Sequence, residues 1–152
     1  MLRLFTLLAV TTFSLFLTAV NAADPAPAQS VAAKAGTGQK YRAVIQVSDS
    51  DAKLWAQAIN NTENLQELLG KENVDIEIVA LGQGIGLLKL DSPHANRVAQ
   101  AMKAGVKIVA CGSTMKRQKL TKDDMLPDIG YVPGGLIEIM DKQREGWSYI
   151  KG

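Results

Sequence analysis

The residue in this chain best suited to nucleophilic chemistry is Cys111, the only cysteine among 152 residues. It stands in the stretch Val106 to Lys119, Val-Lys-Ile-Val-Ala-Cys-Gly-Ser-Thr-Met-Lys-Arg-Gln-Lys. The apolar run Val106, Ile108, Val109, Ala110 reads as a buried strand. It ends at Cys111-Gly112, and a short helix carrying Lys116, Arg117 and Lys119 follows. A cysteine at that junction sits where open α/β sheets place their chemistry, at the carboxyl end of the strands.

Two readings of Cys111 stand side by side. Cysteine is often a small buried hydrophobe at a strand end. Alternatively, a helix beginning near Ser113 directs free amides and its positive end at the sulfur. Lys116 and Arg117 then add positive potential, and such surroundings lower a thiol pKa. In that second reading the amides of Gly112, Ser113 and Thr114 face a sulfur partly open to solvent. Gly112 keeps the turn uncrowded for an approaching sulfur donor.

The other polar residues explain themselves more simply. His94, the only histidine, falls in the first turn of a helix and reads as a surface residue. A Cys-His dyad needs hydrogen-bond reach that spacing alone does not establish. One Cys and one His lack the ligand count of a metal site, so no metal or cofactor is expected. Asp49, Asp51, Asp123 and Asp124 stand at helix starts, where capping accounts for carboxylates. Gly82-Gln83-Gly84-Ile85-Gly86 departs from the dinucleotide spacing G-x-G-x-x-G. Gly82 and Gly84 read as a tight turn where backbone approaches backbone or a small ligand.

The elements that must position these residues alternate. Tyr41 to Val47 is a strand, and Ser48-Asp49-Ser50-Asp51 caps a helix from about Ala52 that Gly70 ends. Val74 to Leu81 is the second strand. Ser92-Pro93 opens a helix, with Pro at its first position, that closes at Gly105. Val106 to Ala110 is the third strand. Thr121-Lys122-Asp123-Asp124 resembles a capping box. Ile129 to Val132, a helix after Pro133-Gly134-Gly135, and Trp147 to Ile150 complete the chain. This order predicts an α/β three-layer α/β/α sandwich with a mostly parallel sheet of about five strands.

Composition narrows the partners. The formal net charge is only +2 and aromatics are 5%. Neither supports a nucleic-acid surface. Met1 to Ala22 has one charge, Arg3, an apolar run from Leu4 to Leu17, and Val20-Asn21-Ala22 at its end. That is the pattern of a secretory signal peptide, 1–22, whose apolar run is short for a spanning helix. Cleavage lowers the net charge to +1 and leaves no membrane anchor. Residues 23–39 are small and Pro-containing, a disordered linker before the domain at 40–152. A lone cysteine in an exported protein excludes an internal disulfide. The expected location is periplasmic or secreted.

Five segments, in order, resemble the DsrE/DsrF-like family in its exported, single-cysteine branch. They are Trp55-x-x-Ala-x-Asn-Asn-x-x-Asn-Leu65, Val79-Ala-Leu-Gly-Gln-Gly-Ile-Gly86, Ala110-Cys-Gly-Ser-Thr-Met115, Leu126 to Gly135, and Lys142 to Ile150. The resemblance implies a flavodoxin-like sheet and a homo-oligomer, a trimer or hexamer. Cytoplasmic relatives carry sulfur as a persulfide on one cysteine, and Cys111 matches that residue by its place before Gly112. The implied function is a thiol or persulfide carrier rather than a turnover enzyme, with a sulfur-donor or acceptor protein as partner. The alternative is an oligomeric module with an inert cysteine, binding a small ligand between the Gly82–Gly86 turn and the Cys111 loop, or serving as an accessory protein.

Overall fold

In strand β1 (Tyr41–Val47), Val44, Ile45 and Val47 are all buried, so both faces of the strand are covered. That is the signature of a parallel sheet sandwiched between helices. The computed structural model describes residue 38 and residues 40–152. The expected signal peptide and all of the expected linker except Gly38 lie outside the described residues.

Helix α1 (Ala52–Leu69) starts where Asp51 accepts from the Lys53 amide at 2.8 Å. It stops at Gly70, whose φ of 84° favours a residue without a Cβ. A 3-10 turn, Lys71–Asn73, leads into β2 (Val74–Ala80). Gly82–Leu88 forms a longer 3-10 segment, and α2 spans Ala95–Lys103. Then come β3 (Lys107–Cys111), α3 (Gly112–Gln118), β4 (Gly130–Val132), α4 (Gly135–Arg144) and β5 (Ser148–Lys151).

The sheet runs β4-β3-β2-β1-β5, and every neighbouring pair is parallel. Ile45, Ile78 and Ile108 lie in register across its centre. On that face they pack against Trp55, Ala58 and Ile59 of α1, Val98 of α2 and Met115 of α3. Burying each large aliphatic side chain contributes roughly 1.5–3 kcal/mol, so this face supplies most of the stability. The opposite face is thinner. Val44, Val79 and Val109 meet a single large buried side chain of α4, Ile139. The result is the expected three-layer α/β arrangement. Among the described residues no helix is long and apolar enough to cross a membrane.

One local expectation changes in three dimensions, and several side chains take places set by tertiary packing. Pro93 is not the first residue of α2, because Ser92 Oγ instead accepts from the His94 amide in a turn that delays the helix to Ala95. Glu77 alternates with Ile76 and Ile78 along β2, yet it is fully buried, since the sheet face it points to is covered by α4. Trp55 is a core residue, its indole N–H donating to the Asp49 carbonyl at 2.7 Å. Leu136, Ile137 and Met140 of α4, by contrast, face outward and are about 60% exposed.

Candidate functional site

Cys111 is the last residue of β3 and directly precedes α3. Its neighbour in the sheet is Val132, the last residue of β4. The chain leaving β4 crosses over it. The carbonyl of Pro133 accepts from the Ser113 amide at 3.0 Å and from the Ser113 hydroxyl at 2.8 Å. Those two bonds fix the loop 133–135 above the start of α3. The loop ends at Gly135, the first residue of α4, whose amide donates to Cys111 Sγ at 3.1 Å.

Gly135 reaches the sulfur because it lacks a side chain. A Cβ there would stand 3.2 Å from Cys111 Cβ, 3.2 Å from Val79 Cγ1 and 3.3 Å from Leu81 Cβ. The Thr114 hydroxyl and the amides of Thr114 and Ser113 also act on the sulfur and lower its pKa. Thr114 Oγ1 itself accepts from the Gly82 amide at 3.0 Å. The hydroxyl hydrogen is thereby left for the sulfur, and Gly82, Thr114 and Cys111 form a short relay. Gln118 Nε2 closes the arrangement by donating to the Gly82 carbonyl at 2.9 Å.

The Gly135 amide is the donor in hydrogen-bond contact with the sulfur, with Thr114 and Ser113 beside it. Burial, the largest single influence, opposes ionisation of the thiol. The hydrogen bonds from Thr114, Gly135 and Ser113 outweigh it and hold the thiol below its ordinary value of 9.0. The sulfur is covered rather than open, with Cys111 only 4% exposed, because the loop 133–135 lies over it.

The model of the DsrE/DsrF-like family matches residues 40–151. The chain belongs to that family. It is a family related to sulfur metabolism. This DsrE/DsrF-like protein is similar to MTH1491 of Methanobacterium thermoautotrophicum, a protein of unknown function, at 33% identity and a TM-score of 0.71, over 74% of this chain and 100% of that one. The fold also resembles ychN of E. coli, at 11% identity and a TM-score of 0.60, over 75% of this chain and 99% of that one. BT1422 of Bacteroides thetaiotaomicron, another protein of unknown function, shares the fold at 12% identity and a TM-score of 0.59, over 73% of this chain and 94% of that one. No curated protein matches the chain.

The structure of this DsrE/DsrF-like protein brings Cys111, Gly112, Ser113, Thr114 and Gly82 together and sets the other named residues apart. Gly112 packs beneath the Val132 carbonyl, where a Cβ would lie 3.1 Å away. Lys116 and Arg117 are exposed on α3, and the thiol is lowered by hydrogen bonds without a contribution from either. Gly84 belongs to the packing of the sheet, because a Cβ there would collide with the Val47 carbonyl oxygen. His94 is half-buried and its Nε2 lies 2.8 Å from the Ala52 carbonyl, a bond to α1 rather than to the thiol. Asp51 and Asp124 cap, Asp124 accepting from the Thr121 amide at 2.7 Å. Among the described residues no three His, Cys, Asp or Glu side chains form a group able to hold a metal. Gly135 has no counterpart in the residues singled out from sequence. Its only sequence signal is the Pro133-Gly134-Gly135 run before a helix without a side-chain cap.

Proposed function

We propose that this protein is an exported sulfur carrier that holds a sulfane sulfur on Cys111. The observation behind this reading is the Gly135 amide donating to Sγ at 3.1 Å, in surroundings that hold the Cys111 thiol below its ordinary value. In the step proposed, the Cys111 thiolate attacks the outer sulfur of a donor persulfide. A new S–S bond forms on Cys111, the donor's S–S bond breaks, and the donor leaves as a thiolate that takes up a proton. The reverse step hands the sulfur to an acceptor thiol, and no outside oxidant or reductant enters. Because Cys111 is covered, the loop 133–135 moves aside as the donor docks.

Export rests on residues 1–22 as a cleaved leader and 23–39 as a spacer, giving a periplasmic or secreted protein with no retained anchor. The mass of the N-terminus of protein from the cell envelope tests this; a chain still beginning at Met1 refutes cleavage. Homo-oligomer formation, a trimer or hexamer as in the family resemblance, is supported by exposed Leu136, Ile137 and Met140 beside the site. Sulfur donor and acceptor proteins are the remaining partners.

The decisive experiment exposes folded protein to polysulfide and weighs it. The carrier reading expects one added sulfur on wild type and none on Cys111→Ser, with both proteins folded. A second reading, an inert cysteine in an oligomeric binding or accessory protein, is favoured by the 4% exposure of Cys111. It prevails if the thiol reacts only after denaturation.

A further inference from the structure

Helix α4 rests on the sheet through four inward positions, Gly135, Glu138, Ile139 and Lys142, and only one of them is a large apolar residue. The others meet a charge buried in the sheet. Glu77 of β2 is fully buried, flanked by Val44 on β1 and Lys107 on β3. Its Oε2 lies 3.0 Å from Lys107 Nζ and 3.6 Å from Lys142 Nζ. Neither Glu77 oxygen accepts a hydrogen bond of good geometry. Glu138 Oε1 lies 3.9 Å from Lys107 Nζ and 3.8 Å from Lys142 Nζ, so two lysines stand between two carboxyls. Glu145 also approaches Lys142, at 3.7 Å, and the Lys142 ammonium sits 4.7 Å over the Trp147 ring. Burial, and then Glu77 itself, hold the Glu138 carboxyl above the usual range. In its protonated form Glu138 can donate the hydrogen bond that Glu77 lacks.

An uncompensated carboxylate in this position is strongly unfavourable, so Glu77 requires Lys142 and Lys107 to remain where they are. Lys142 lies two turns along α4 from Gly135, on the same face. Ile139 alone allows the helix to pivot on the valines beneath it. Ile139 and the Glu77–Lys142 pair hold α4 to the sheet beyond its first turn, and at that turn the Gly135 amide lies 3.1 Å from Sγ.

We propose that Glu77 is a positioning residue for Cys111: its buried ion pair to α4 holds the first turn of that helix against the sulfur. The consequence for thiol reactivity rests on the sulfur chemistry proposed above, whereas the positional coupling does not.

Two measurements on Glu77→Gln, which preserves shape and removes charge, test the coupling. Amide hydrogen exchange at Gly135 should accelerate about tenfold while Val44 and Val79 in the sheet keep their protection. The pH midpoint for alkylation of folded Cys111 should rise by about one unit, a tenfold loss of thiolate below it. Gly135→Ala should raise the midpoint likewise, and the double variant should shift no further than Gly135→Ala alone. Unchanged exchange at Gly135, exchange accelerated equally throughout the domain, or additive midpoint shifts overturns the proposal. Should Glu77→Gln not fold, Lys142→Met removes the same tie from the helix side and is judged by the same criteria. A thiol that never reacts in the folded wild type refutes the carrier reading, and the exchange at Gly135 still decides the role of Glu77.

Discussion

The amide of Gly135 donates to the sulfur of Cys111 at 3.1 Å, joining residues 24 apart in the chain. This bond ties the first turn of α4 to the end of β3. A Cβ at position 135 would press on Cys111, Val79 and Leu81 at once. Gly135→Ala should therefore lift the helix start and lose the bond. A hydrogen bond to a charged group is worth about 1.5–3 kcal/mol, so the thiolate fraction well below the midpoint should fall at least tenfold. Alkylation rates of folded protein across pH check this.

Thr114 is buried and uses its hydroxyl twice, accepting from the Gly82 amide and donating to the thiolate. Thr114→Val keeps the shape and removes both bonds. Its expected cost is about 1–3 kcal/mol of stability, because the Gly82 amide loses its acceptor, together with a raised thiol pKa. Thr114→Ser should restore most of the thiol effect. Urea unfolding and the alkylation profile, taken together, separate the two consequences.

Two of the shifted groups, Cys111 and Glu138, predict opposite pH slopes. Cys111 ionises more readily folded than unfolded, so its contribution is complete above the unfolded value and is lost as pH falls through the folded one. Wild type should gain stability over Cys111→Ser as pH rises toward 9.0. Glu138 is raised above 4.5, so its contribution is complete below that value and is lost as pH rises through the folded value. Glu138→Gln should therefore gain on wild type as pH rises from 4.5. Denaturant midpoints at a series of pH values read both slopes.

Gly84 separates packing from ligand binding. A methyl group there collides with the backbone of Val47, which cannot move without disturbing β1. Gly84→Ala should cost about 1–3 kcal/mol, the usual range for overpacking a core, or prevent folding. If Gly84 instead lined a ligand site, thermal unfolding would show little change.

Local signals in the chain were sufficient for most of the elements. Asp51 before Ala52 and Gly70 after Leu69 mark α1 because capping and a left-handed stop act within a few residues. The apolar run ending at Cys111 placed the thiol at a strand's carboxyl end for the same reason, and the segments from Trp55 to Ile150 carried the family. The strand order β4-β3-β2-β1-β5 is not local, and neither is what surrounds the sulfur. Lys116 and Arg117 are near Cys111 in sequence, yet α3 turns them to solvent. Gly135 is distant in sequence and arrives only because β4 pairs with β3 and directs the next loop over Cys111. Glu77 shows the same limit. Alternation along a strand separates two faces but does not say which face meets water. In a parallel sheet neither does, so α4 determines that this carboxylate is buried and that Lys142 must accompany it.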